Sequence, residues 1–95
     1  MGEKFLNLNS IIEQKEEVDV TELNGEKVMM DLDRGKYFML NETGSSIWDA
    51  ISDRRSVSEI VDAVISDHDV EIEVCKEKVL EYLELLRHEE LIYVK

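Results

Sequence analysis

The chain has 95 residues, 43% of them hydrophobic, enough for one domain with one modest core and too few for a catalytic domain joined to a separate substrate domain. Eleven Lys and Arg stand against 23 Asp and Glu, and the resulting net charge of -12 repels phosphate backbones and anionic lipid heads, which argues against nucleic acid and membrane partners. No apolar run approaches the ~18 residues of a bilayer span, and "MGEKFLNLNS" lacks the basic flank and apolar core of a signal peptide, so a cytoplasmic protein is expected.

Residues 1–95 read as a single domain, in which 1–15 form an N-terminal segment that is either flexible or packed on the rest. Val18, Val20 and Leu23 interleave with polar residues and run into Asn24-Gly25, a strong hairpin signal. The second strand, "EKVMMDL", places Val28, Met30 and Leu32 on one face, and Asp33-Arg34-Gly35 supplies the next turn, where Gly35 is able to take a positive φ. Lys36 to Leu40 form a third strand with Phe38 and Leu40 toward the helices. Tyr37 and Met39 face the other way, joined there by Met29.

The hydrophobic period then changes from two to about 3.6. Asn41 is a good N-cap for a short first helix carrying Ile47, Trp48 and Ile51 on one stripe. "SVSE" is a capping box, Ser56 at the N-cap and Glu59 at N3, and opens a second helix that buries Ile60, Val61, Val64 and Ile65. The third and longest helix covers about 71–87, with Ile72, Cys75, Val79, Tyr82, Leu83 and Leu86 on one wide stripe. A short extended segment over 91–94 closes the chain. The fold class is α+β, winged-helix-like, with a three-stranded antiparallel sheet followed by three helices. A DNA-reading winged helix needs a basic reading helix, whereas the third helix here is rich in Glu and has only Lys76, Lys78 and Arg87.

Catalytic readings find no complete motif. "TGSSIW" has half of the Gly-x-Ser-x-Gly frame of a nucleophile elbow and none of the Lys-containing spacing of a phosphate loop. Gly44 reads instead as a place in the first helical turn where a Cβ would collide. Cys75, His68 and His88 share no metal-ligand spacing, and Cys75 lies on the apolar stripe as a small hydrophobe.

Tyr37 and Met39, with Met29, call for a cover on the outer sheet face. One reading places the N-terminal Phe5, Leu6, Leu8, Ile11 and Ile12 across them. The other concerns the edge of the third strand, whose unpaired N–H and C=O groups form a template for a partner's strand. On the third helix Leu80, with Lys76 and Arg87, flanks the buried stripe and is expected to wall a groove beside that edge.

The runs "VMMDLDRGKYFMLNETGSSIWDAI", "SVSEIVDAVISDHDV" and "KVLEYLELLRHEELI" resemble the PqqD-like family of peptide chaperones, the precursor-peptide recognition elements. The resemblance spans about residues 18–93 and is most specific at Leu40-Asn41-x-x-Gly44-x-x-Ile47-Trp48. It implies a non-catalytic protein without cofactor or metal that binds the leader of a ribosomally made precursor peptide as a fourth strand. It further implies delivery to a modifying enzyme, either a leader peptidase and cyclase of lasso-peptide biosynthesis or a radical SAM enzyme. The family's binding region maps onto Lys36, Tyr37, Phe38, Met39 and Leu40, with Lys76, Val79, Leu80, Leu83 and Arg87 across the groove. The alternative is a winged-helix module that binds protein partners in a regulatory role.

Overall fold

The structure is a computed structural model that describes residues 6–24 and 26–95. Its elements, in chain order, are β1 (Ile11–Gln14), β2 (Val18–Leu23), β3 (Glu26–Asp31), β4 (Lys36–Leu40), α1 (Glu42–Ala50), β5 (Arg55–Ser56), α2 (Val57–Asp67), α3 (Ile72–His88) and β6 (Ile92–Val94). The architecture is α+β. An antiparallel sheet of order β2-β3-β4 forms the three-stranded meander expected from the sequence.

The helix starts follow from local chemistry. The Asn41 side chain accepts a 2.7 Å hydrogen bond from the Gly44 backbone N–H, satisfying one of the otherwise unpaired amides of α1. At α2 the reciprocal capping box is complete: Glu59 N–H donates to Ser56 Oγ at 3.2 Å, and Ser56 N–H donates to Glu59 Oε1 at 2.9 Å. The α3 C-terminus closes as a Schellman motif. The Leu91 N–H reaches the Leu86 carbonyl at 2.9 Å and the Glu90 N–H the Arg87 carbonyl at 2.9 Å, while Glu90 takes the left-handed φ of 60°. Gly35 has a φ of 68°, as its turn position requires. In the β2–β3 hairpin Asn24 takes a φ of 54°; its neighbour Gly25 lies outside the described residues.

A second, small sheet of order β5-β1-β6 completes the fold. The segment that one of the two sequence readings places across the outer face of the meander instead pairs with both chain regions that follow α1 and α3, Ile12 opposite Arg55 and Val94. Ile12 is fully buried in the core, and Leu6 packs against that core. Phe5 lies outside the described residues. The physical reason is that pairing satisfies backbone groups of three short segments at once, which simple coverage of a sheet face does not.

One strand face also differs from the sequence reading. Met29 stands opposite Phe38 in the register and is fully buried, so it shares the inner face with Phe38 and Leu40, not the outer face with Tyr37 and Met39. Met30, opposite Tyr37, and Val28, opposite Met39, take the outer side. "VMM" carries no alternation of its own; in the structure Met29 shares the inner face with Asp31, whose burial is compensated by cations described below. Besides Ile12, the core includes Met29 and Leu40 from the meander, Ile47, Trp48 and Ile51, Val57, Ile60, Val61 and Val64, Cys75, Val79, Leu83 and Leu86 from α3, and Leu91 and Ile92 beyond it.

Candidate functional site

Strand β4 is the last strand of its sheet. It pairs with β3 on one side, and among the described residues no strand pairs with the other. Alternate residues of such an edge direct their N–H and C=O groups outward, where an added strand can take them up. Tyr37 and Met39 on the outer face of β4 are 70% and 59% exposed.

Beside this edge lies a cavity of about 160 Å³, lined on the sheet side by Met29, Phe38, Met39 and Leu40 and on the helix side by Tyr82, Leu85, Leu86 and Glu89, with Leu91 beyond. Two contacts fix the direction of the wall. At one end the Arg34 guanidinium donates to the Glu89 carbonyl and pairs with Glu90 at 3.3 Å. At the other, a Cβ built on Gly44 would overlap the hydroxyl and ring of Tyr82. The chain from Arg34 through β4 to Gly44 therefore runs antiparallel to α3. Glycine at position 44 admits this close approach, which any Cβ would open by displacing the Tyr82 ring, and that ring forms part of the cavity wall.

The anchored end is built around Asp31, fully buried at the close of β3. Its carboxylate accepts from Lys15 Nζ at 3.1 and 2.9 Å and from Arg34 Nε at 2.7 Å, and its Oδ1 accepts from the backbone N–H of Asp33 at 3.1 Å. Burial pushes the carboxyl pKa up, but the Arg34 and Lys15 hydrogen bonds outweigh it and hold Asp31 down at about 2. The hydrogen bond to Asp31 raises the Lys15 pKa against the opposing effect of its own burial. Through Arg34 the same carboxylate ties the β3–β4 turn to the end of α3.

The strand residues Lys36, Tyr37, Phe38, Met39 and Leu40 form β4 as expected: Lys36, Tyr37 and Met39 exposed, Phe38 half-buried, Leu40 buried. The helix residues fall elsewhere. Val79 and Leu83 are fully buried core, Leu80 is half-buried against that core, Lys76 pairs with Glu73 at 3.4 Å, and Arg87 pairs with Glu84 at 3.9 Å. None of these five lines the cavity beside β4. A helix stripe has two flanks, and periodicity does not say which meets the sheet. The flank carrying Tyr82, Leu85 and Glu89 meets it, not the flank of Lys76, Leu80 and Arg87 expected from the sequence. The sequence carries no signal that separates the two flanks, since a lone leucine off the stripe, such as Leu85 at 52% exposure, is ordinary on a helix surface.

A larger cleft of about 550 Å³ lies away from β4, lined mostly by polar residues such as Glu13, Lys15, Glu16 and Arg54. Several of these are paired, Glu13 with Lys95 at 3.0 Å and Lys15 with Asp31. Among the described residues no cluster of three potential metal ligands occurs and no helix is long and apolar enough to cross a membrane.

Fold and site together define a small α+β protein with an open strand edge beside a helix-walled apolar cavity. The chain belongs to the PqqD family, described as coenzyme PQQ synthesis protein D, which it matches over residues 26–92. Among solved structures it is similar to TbiB1 in complex with the TbiA(beta) leader peptide, at 28% identity and a TM-score of 0.73, covering 84% of this chain and 93% of that one. It shares its fold with lasso peptide synthetase B1 complexed with the leader peptide, at 20% identity and a TM-score of 0.73, over 86% of this chain and 96% of that one. No curated protein sequence matches the chain.

Proposed function

We propose that this protein is a non-catalytic, cytoplasmic peptide chaperone, a single peptide-binding domain that takes up the leader of a ribosomally made precursor by strand addition. The unpaired edge of β4 beside the cavity carries this reading. The other edge strand, β2, carries Asp19 and Glu22 and follows Glu16 and Glu17, an acidic setting unlike the apolar cavity beside β4. Family membership and the likeness to a leader-bound TbiB1 support the same occupant. Ladder hydrogen bonds from β4 supply sequence-independent affinity, and alternate side chains of the peptide enter the cavity against Tyr82 and Leu85. Lys36 and Tyr37 bracket the peptide at the start of the edge, while Val79 and Leu83 hold the helix wall in place from the core side. Lys76, Leu80 and Arg87 support α3 from its other flank. The bound peptide is then delivered to a modifying enzyme, a leader peptidase with its cyclase or a radical SAM enzyme.

The test uses binders selected from a displayed library of random peptides on the full chain. Calorimetric titration should give saturable binding that Leu85→Asp lowers at least tenfold, with an unchanged circular dichroism spectrum because Leu85 is half-exposed. Full affinity in the folded Leu85→Asp variant would contradict the reading.

A further inference from the structure

The cavity beside β4 does not stand alone. It shares Tyr82 and Leu85 with a second cavity of about 250 Å³, which also takes in Asn41, Thr43 and Lys78. That one shares Thr43 and Lys78 with a third, of about 160 Å³, walled by Val64, Val70, Val74 and Cys75 and bordered by His68. The three form one track along a single face of α3, from Glu89 near its C-terminus to Val74 near its start, because residues 74, 78, 82, 85 and 89 recur at helical spacing.

Resting on the strand-addition reading, we propose that a peptide paired with β4 continues past Leu40 along this track. There it anchors a bulky apolar side chain, with a neighbouring carboxylate, in the far cavity. Length supports the extension. From Val74 to Glu89 the helix rises about 22 Å, whereas the five residues of β4 span about 17 Å. A peptide matched to the strand alone leaves the far cavity empty.

Chemistry identifies the occupant. Val70 and Val74 are each 44% exposed at the cavity, and burying them against an apolar side chain removes that area from water. Lys78 stands at its mouth. Among the described residues it makes no ion pair, in a chain with 23 acidic residues and 11 basic ones. A cation left unpaired where two cavities meet selects an anionic neighbour for the apolar anchor. Glu81 borders the middle cavity, so the carboxylate belongs on the Lys78 side toward Val74. The far wall is built to hold its shape: Ser46 Oγ lies 2.9 Å from His68 Nε2, joining α1 to the segment before α3, and the Cys75 thiol contacts the Val61 carbonyl at 3.8 Å.

The test uses library-selected peptides and three exposed-site variants, Val74→Arg, Lys78→Glu and Leu85→Asp, each checked for folding by circular dichroism. The selected peptides should share an apolar residue beside an Asp or Glu at one end. Val74→Arg and Lys78→Glu should each lower their affinity about tenfold, and trimming that end should abolish the sensitivity to both. Loss with Leu85→Asp alone, and full affinity with Val74→Arg and Lys78→Glu, would overturn the extension while leaving strand addition in place. Full affinity in all three variants would overturn both.

Discussion

Asp31 is the residue on which the geometry of the β4 edge depends. It stands on the inner sheet face, where an apolar residue is the ordinary choice, and is tolerated because Lys15 and Arg34 satisfy it from two other parts of the chain. Its folded-state pKa of about 2 lies below the ordinary carboxylate value of about 3.9. A depressed pKa means that the unfolded chain takes up the proton first as pH falls. The stabilisation is therefore present above about pH 4 and lost progressively toward pH 2. Denaturant unfolding of the wild type should show this decline, and Asp31→Asn should be less stable at neutral pH and show a flatter dependence over the same window. Equal slopes in both proteins would remove Asp31 from the account. Nothing in "DLDRG" alone announces the cluster, since Lys15 is 16 residues away and the compensation exists only once β1 is placed.

At the scale of elements, the two flanks of α3 have different tasks. Leu80 is half-buried against the core, whereas Leu85 faces the cavity beside β4. Leu80→Asp places a charge against apolar neighbours and should destabilise by about 2 kcal/mol or more, measured by chemical denaturation, whereas Leu85→Asp should change stability by no more than about 0.5 kcal/mol. A stable Leu80→Asp variant would mean that α3 is rotated so that Leu80 faces away from the core. The meander, both capped helix starts and the extent of α3 were legible in the sequence because each rests on local signals: Asn24-Gly25, Asn41, "SVSE" and a long 3.6-residue period. The flank of α3, the inward face of Met29 and the β5-β1-β6 sheet were not, because each is decided by contacts between segments distant in sequence. The strand half of the candidate site, residues 36–40, needed only the order of strands. The helix half needed the three-dimensional packing.

For the molecule as a whole, three features point to one face. The sheet ends at β4 without a partner among the described residues, α3 lies antiparallel beside it, and a row of three cavities, apolar at both ends and polar in the middle, follows that helix face. The chain as a whole carries a net charge of -12, a field that repels other polyanions. The β2 edge of the same sheet provides an internal control, since among the described residues no strand pairs with its outer side either and it lies at the opposite edge from β4. Amide hydrogen exchange of the full chain, with and without a saturating selected peptide, tests the central claim most directly. Strand addition predicts slowed exchange across residues 36–40 and unchanged exchange across 18–23. Unchanged exchange at 36–40 in the saturated complex, or protection confined to 18–23, would contradict it.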